Sequence, residues 1–72
     1  FDLPERKEVV LQVFNINGGL VQTLIRSKLS PGKYSFDWEG TDQEGRSVTS
    51  GVYFIQIDTG SFRSIKKALL VK

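Results

Sequence analysis

Residues 34–57, YSFDWEGTDQEGRSVTSGVYFIQI, contain two segments with large apolar residues at alternate positions, joined by an acidic turn that includes Gly40 and Gly45. Successive side chains of a β-strand point to opposite faces of the sheet, so this alternation is typical of strands with one buried face. Tyr34, Phe36 and Trp38 are in phase, and we expect them to share the buried face of one strand. The stretch predicts a chain built from β-sheet.

The rest of the chain continues the same pattern. Asn17-Gly18 is a strong hairpin signal, because both residues tolerate the positive φ of a type I′ turn. Pro31-Gly32 indicates a second reversal. The sequence predicts an extended segment at residues 1–4 and strands over residues 8–14, 20–26, 34–38, 46–49, 52–58 and 62–72. Short strands separated by frequent turn signals are typical of an all-β sandwich.

The last segment is the one place where a helix competes. Ala68, Leu69 and the neighbouring lysines favour a helix by intrinsic propensity. Propensity is a weak guide where tertiary packing decides, and one more strand would close the sandwich. We therefore assign residues 62–72 to a strand.

Length and composition narrow the function. Seventy-two residues make a single domain, and the chain has no His and no Cys. The usual proton shuttles, thiol nucleophiles and soft metal ligands are therefore absent, and we expect no enzyme, no cofactor and no metal site. A net charge of +2, without aromatic residues interleaved among the basic ones, predicts no nucleic-acid binding. No apolar run is long enough for a membrane span.

The chain has one acidic cluster, which comprises Asp37, Glu39, Asp42 and Glu44. Paired carboxylates serve glycoside hydrolysis and calcium binding. A catalytic pair needs a cleft, which so small a domain hardly offers, and the calcium-loop template needs Gly at its sixth position and Glu at its twelfth. Counted from Asp37, those positions hold Asp42 and Val48. The cluster predicts a solvated turn in which Asp side chains bond to nearby backbone N–H groups.

Two further features each have two interpretations. Trp38 is either a stacking platform for carbohydrate or a core residue, and its phase with Tyr34 and Phe36 favours the core. Residues 68–71 place apolar side chains on both faces of a strand. Either this is a terminal strand guarded by lysines against unwanted pairing, or one face of the strand is reserved for a partner.

Several short patterns occur in order along the chain: residues 1–5, FDLPE; 13–15, VFN; 19–21, GLV; 23–24, TL; 38–40, WEG, with Asp42 and Gly45; 50–54, SGVYF; and 66–72, KKALLVK. Together they resemble the FlgD-like immunoglobulin-type domain of secreted bacterial proteins, which is closely related to the C-terminal sorting domains of the type IX secretion system. The resemblance implies a seven-stranded, immunoglobulin-like Greek-key β-sandwich. It also implies that residues 1–72 are the C-terminal domain of a larger protein that is secreted or held at the bacterial cell surface.

The resemblance to sorting domains rests on three segments: residues 31–34, 51–57 and 66–72. We expect a mainly structural role for the motif residues, which are Gly32, Tyr34, Trp38, Gly51 and Tyr53. We expect Tyr53 to pack inward with Ile55 and Ile57. The predicted partner-binding residues are Lys66, Lys67, Leu70, Val71 and Lys72.

These observations give a leading function and a rival. The leading hypothesis is a non-catalytic domain that mediates export and cell-surface retention by recognising protein, either the export machinery or other domains of the parent protein. Recognition at a sheet edge needs no titrating side chain, which suits this composition. The alternative is an accessory spacer, an assembly domain of the hook-capping type, or a carbohydrate-binding module of a secreted enzyme.

Overall fold

A computed structural model describes all 72 residues. It is all-β and contains six strands: β1 (Asp2–Leu3), β2 (Lys7–Phe14), β3 (Leu20–Leu29), β4 (Gly32–Lys33), β5 (Gly51–Asp58) and β6 (Arg63–Leu70). No helix is present, and so none is long and apolar enough to cross a membrane. The predicted all-β class is confirmed.

The strands form two sheets. The larger has the order β3-β2-β5-β6 with every pair antiparallel, and the smaller pairs β1 with β4. The two long hairpins, β2–β3 and β5–β6, are therefore joined through β2 and β5 at the centre of the larger sheet. This arrangement leaves β3 and β6 as its edge strands.

The core lies on one face of the larger sheet and is centred on β2. Val9, Leu11 and Val13 alternate with exposed or half-exposed residues and are at most 1% exposed. Across the β2–β5 ladder, Leu11 is opposite Ile57 and Val13 is opposite Ile55, so β5 turns the same alternate positions inward. The period of two in the sequence therefore predicted the inner face correctly, including the inward orientation of β5.

The aromatic segment at residues 34–38 is extended but is not a strand, so that prediction was wrong. Its side chains cover the inner face of the larger sheet, since Phe36 and Phe1 line one gap together with Leu11 and Ile55. The alternation in this segment reports burial on one side rather than backbone pairing. Phe36 is still 37% exposed, so the aromatic cluster forms the cover of the core and not its centre.

Residues 46–49 also do not form the predicted strand. Only an isolated bridge joins Thr41 to Ser47, with one backbone bond on each side of it, from Asp42 N to Arg46 O and from Val48 N to Gly40 O. The structure thus has six strands where the sequence predicts seven, and the Greek-key connection stays a prediction. The two sheets are consistent with an immunoglobulin-like sandwich.

The first hairpin is where the sequence places it, but its turn differs from the predicted type I′. Asn17 has a negative φ, and Gly18 alone in this loop has a positive one, 84°. Gly18 N donates to Asn15 O, and Asn15 N donates to Gly19 O. This is a three-residue loop closed by a left-handed glycine. The Asn15 side chain stabilises it, because its Oδ1 accepts from Asn17 N and Gly19 N at 2.9 Å each.

Candidate protein-recognition surface

Strand β6 presents two different faces. Its register with β5 places Tyr53 opposite Ala68 and Ile55 opposite Lys66, so these β6 residues share the inner face with the core. Lys67 lies opposite Phe54 on the outer face. The alternating positions on the outer face are Arg63, Ile65, Lys67 and Leu69.

The outer face of the larger sheet carries an uncovered apolar surface, which we call the outer strip. Phe14 of β2 is flanked by Phe54 of β5 on one side and Leu20 of β3 on the other. Ile16 and Ile65 line the same shallow groove as the two phenylalanines. The outer strip comprises Phe14, Ile16, Leu20, Phe54, Ile65 and Leu69. Ile16, Ile65 and Leu69 are 68%, 57% and 71% exposed, and patches of this kind mark interaction sites.

The carboxyl end of β6 is fastened to the acidic turn. Gly40 is buried with a φ of 73°, and a Cβ placed there would lie 3.0 Å from Leu70 Cδ2. Lys72 Nζ donates to Gly40 O at 3.3 Å and to Ser47 Oγ, while Lys72 N donates to Ser50 Oγ at 3.0 Å. Leu70 and Lys72 therefore hold the turn in place as well as lying near the predicted contact surface.

The five predicted contact residues do not form one surface. Lys66 and Leu70 belong to the inner face and Lys67 to the outer face, while Val71 lies beyond the strand and is 76% exposed. Lys72 bonds to the acidic turn. Of the five, Lys67 and Val71 are the exposed residues that neither lie on the inner face nor bond to the acidic turn.

Sequence reasoning did not identify the outer strip. The signal was present, since Phe14 and Phe54 occupy the outward positions of strands whose other positions form the core. Aromatic residues at outward positions are unusual for a sheet face that meets water. The alignment of Phe14 with Phe54 across two strands far apart in sequence could not be seen without the register.

Three of the motif residues lie at the ends of strands or directly beside them. Gly32 pairs with Leu3 in the small sheet, and Gly51 begins β5 opposite Leu70. Tyr34 stacks on Phe1, with ring centroids 5.4 Å apart. Gly32 and Tyr34 therefore hold the covering segment against residues 1–3.

Tyr53 is buried, and its hydroxyl donates to Thr49 O at 2.7 Å. A tyrosine that bonds back to the backbone a few residues upstream is a feature of immunoglobulin-type sandwiches. The bond fixes the entry of the chain into β5. The core position predicted for Tyr53 is therefore what the structure has.

Trp38 is half-buried and held on two sides. Its ring meets Tyr53 edge-on with centroids 4.9 Å apart, and its Nε1 donates to Thr41 O at 2.9 Å. The donor and one edge of the indole are thus already occupied. This geometry favours the structural interpretation of Trp38 over a stacking platform.

The acidic turn is organised by Asp42. Its Oδ1 accepts from Glu44 N at 2.9 Å and from Arg46 N at 3.0 Å, and Arg46 Nε lies 3.4 Å from Oδ2. The backbone bond from Arg46 is the main reason that the pKa of Asp42 lies below its usual value. The predicted Asp turn is present, and no group of three or more acidic residues is arranged to hold a metal ion.

Asp42 should make folding sensitive to acid. Its pKa is lower in the folded chain than in the unfolded one, so its contribution is present above the ordinary value of 3.8 and is lost as the pH falls through the lower folded value. Asp58 acts in the same direction, through bonds from Gly60 N and Arg63. We expect the free energy of unfolding to fall more steeply below about pH 4 in the wild type than in Asp42→Asn/Asp58→Asn.

Urea unfolding at several pH values measures this difference, and carbon-detected NMR gives the two pKa values directly. The control is the urea-unfolded chain, in which both carboxyl groups should titrate at their ordinary values. Equal acid sensitivity in the wild type and the double variant would contradict the assignment.

Comparison with known proteins identifies the family. The chain matches the FlgD Ig-like domain over residues 1–61, which includes β1 to β5 and ends just before β6. No curated protein and no solved structure matches it significantly. The match covers most of the chain and agrees with its two-sheet, all-β architecture, so the chain belongs to the FlgD Ig-like domain family.

Proposed function

We propose that this chain is a non-catalytic accessory domain that acts by recognising protein and thereby serves the export and cell-surface retention of the polypeptide to which it belongs. The observation that carries this proposal is the outer strip. It places four exposed aliphatic side chains beside two aromatic ones on a face that nothing in the chain covers. Protein-binding surfaces are enriched in apolar and aromatic residues at their centre.

The end of β6 adds to this surface. Leu69 and Val71 are the two most exposed large apolar residues of the chain, at 71% and 76%. Exposing them to water gives the isolated domain no stability, and burying them against a partner would release about 1.5–3 kcal/mol for each fully buried side chain. The last strand therefore fits a role in protein contact better than a purely structural one.

An assembly or spacer role is the second candidate, and family membership supports it. Such a domain would use the same apolar face to pack against a neighbouring domain of its own polypeptide. The carbohydrate-binding alternative has less support, since Trp38 Nε1 donates to Thr41 O and the indole ring packs against Tyr53. A reporter assay distinguishes the export role from the assembly role. The export role requires the apolar surface for a fused reporter to reach the outside of the cell, whereas the assembly role does not.

The test is export of a reporter fused to this chain in a bacterium that has a type IX secretion system. The variant is Leu69→Asp/Val71→Asp, which adds charge at two exposed positions. We expect at least about a tenfold loss of reporter at the cell surface, equivalent to about 1.4 kcal/mol of lost binding. Phe62→Asp is the matched control, because Phe62 is also exposed, at 59%, but lies at the opposite end of β6.

Urea unfolding of each variant shows whether the domain stays folded. Normal surface display of a folded Leu69→Asp/Val71→Asp fusion would refute the export role. Equal losses for this variant and for Phe62→Asp would show a general effect of added charge, and would also refute it. Normal export combined with impaired association between neighbouring domains would favour the assembly role.

A further inference from the structure

Strand β6 has an unpaired backbone edge. Residues opposite each other in an antiparallel ladder alternate between hydrogen-bonded and non-bonded pairs. Thr59 N donates to Phe62 O at 2.9 Å, which sets this alternation for the β5–β6 hairpin. Residues Ser64, Lys66, Ala68 and Leu70 therefore direct their backbone groups toward β5. Arg63, Ile65, Lys67 and Leu69 direct theirs away from the sheet, where no strand follows.

A gap between the two layers adjoins β6. Its lining includes Phe1 and Phe36 from the covering layer, by which we mean residues 1–3 and 32–38 over the inner face. The larger sheet contributes Leu11, Ile55 and Ile57, together with Lys66 of β6. The gap has a volume of about 170 Å³ and is mostly apolar. The small sheet has two strands of two residues each, too little to cover the larger sheet as far as its β6 edge. A strand added beside β6 would point alternate side chains toward this gap.

The charges along the edge restrict what can pair there. Lys66 and Lys67 are exposed, lie on opposite faces of β6 and take part in none of the ion pairs of the chain. The longest antiparallel pairings of β6 with a second copy of itself set Lys66 against Lys66 or Lys67 against Lys67. Like charges directly opposite each other destabilise a sheet, so the edge disfavours a second copy and suits a segment with acidic residues.

We propose that the free edge of β6 binds an extended peptide segment by strand addition, with two consecutive acidic residues opposite Lys66 and Lys67 and an apolar side chain directed to the gap beside β6. Consecutive residues of a strand face opposite sides, so an acidic pair would meet one lysine on each face. This inference rests on the proposed role in protein recognition and specifies the chemistry of the partner.

The test uses a synthetic peptide, Thr-Val-Thr-Glu-Glu-Val-Phe-Thr, titrated into the isotope-labelled 72-residue chain and followed by NMR. In an antiparallel register, its two Glu face Lys67 and Lys66, and its Phe lies opposite Ser64 beside the gap. We expect the largest shifts at the outward-facing backbone amides of β6, which are those of Arg63, Ile65, Lys67 and Leu69. Replacing both Glu by Lys should weaken binding by at least about tenfold.

Backbone pairing is tested with two further peptides. In the first peptide, both Val residues are N-methylated, which removes two N–H groups that face β6. In the second peptide, the second Thr and the Phe are N-methylated, which removes two N–H groups that face away from β6. We expect the first pair of modifications to abolish binding and the second to leave it within about threefold, because only the first removes ladder bonds.

Charge specificity is tested on the protein. Lys66→Glu/Lys67→Glu should reverse the preference, so that the lysine peptide binds more tightly than the glutamate peptide. Arg26→Glu/Lys28→Glu is the matched control, since it changes two exposed basic residues of the other edge strand, β3, and should leave the preference unchanged.

Three results would overturn the inference: no binding of the glutamate peptide at about 1 mM, binding that ignores the charge reversal, or sedimentation that shows the chain self-associating through β6. A negative peptide test leaves the proposed function standing, because the export assay depends on the side chains of Leu69 and Val71 and does not require an acidic partner. Normal surface display of the Leu69→Asp/Val71→Asp fusion, together with charge-dependent peptide binding, would instead refute the proposed export role and leave the inference about the β6 edge standing.

Discussion

Replacing Leu11 with alanine is expected to lower the free energy of unfolding by about 2–5 kcal/mol. Leu11 is 1% exposed and lies in the central strand β2, between β3 and β5. Truncation removes apolar contacts that the surrounding strands cannot fully replace. A chain of this length has a total stability of only about 4–11 kcal/mol, so this single change should remove a large fraction of it.

Leu69→Ala is the matched control, because it removes the same atoms from a position that is 71% exposed on β6. Its effect should stay within about 0.5 kcal/mol, as for most surface substitutions. Urea unfolding followed by the fluorescence of the single tryptophan measures both variants. Equal losses for Leu11→Ala and Leu69→Ala would show that the core is not centred on β2.

The contrast between these two leucines also shows what sequence alone can predict. Both stand in strands with apolar neighbours, and the sequence places Leu11 inward because Val9 and Val13 share its phase. For residues 68–71, the apolar run has no phase, so the sequence leaves open which face is buried. The register with β5 decides it, since Ala68 and Leu70 lie opposite Tyr53 and Gly51.

Residues 34–38 show a second limit of prediction from sequence, because a regular alternation is present without strand pairing. Their alternation is as regular as that of β2, yet Ser35 and Asp37 are outside any ladder. Periodicity reports which side chains are buried, whereas pairing also requires a neighbouring strand with free backbone groups. A single sequence shows which side chains are buried, but it does not show whether a neighbouring strand is available for pairing.

The candidate surface was predicted only in part for the same reason. Lysines and apolar residues at residues 66–72 pointed to the last strand, and that strand does have a free edge. The outer strip depends on the pairing of Phe14 with Phe54, and the gap beside Lys66 depends on how far the covering layer extends. Both are properties of contacts between segments far apart in the sequence, which local patterns do not encode.

Replacing Trp38 with alanine is expected to cost about 3 kcal/mol, near the lower end of the range for large aromatic residues because Trp38 is only half-buried. The change removes the edge-on contact with Tyr53, the bond from Nε1 to Thr41 O and the cover over part of the inner face. Aromatic pairs of this kind contribute about 0.5–1.5 kcal/mol beyond burial, and the hydrogen bond about 0.5–1.5 kcal/mol.

Two further variants separate these contributions. Trp38→Phe keeps an aromatic ring but has no donor, so it should cost about 1 kcal/mol, with Thr41 O left without this partner. Phe36→Ala is the control for loss of an aromatic residue from the same covering segment, and its effect should be smaller than that of Trp38→Ala because Phe36 is 37% exposed and has no polar atom. Unfolding is followed by far-ultraviolet circular dichroism, since the fluorescent residue is changed.

The location of the damage distinguishes a structural Trp38 from a binding one. Thr41 belongs to the acidic turn, which is attached to β3 through the bond from Gln43 N to Val21 O and closed by the bond from Val48 N to Gly40 O. If Trp38 anchors this turn, hydrogen exchange at Gln43 and Val48 should accelerate in Trp38→Ala by a larger factor than exchange in β2, where only global unfolding exposes the amides. A Trp38 that served only an external ligand would leave stability and exchange unchanged, and that result would favour the carbohydrate-binding interpretation over the structural one.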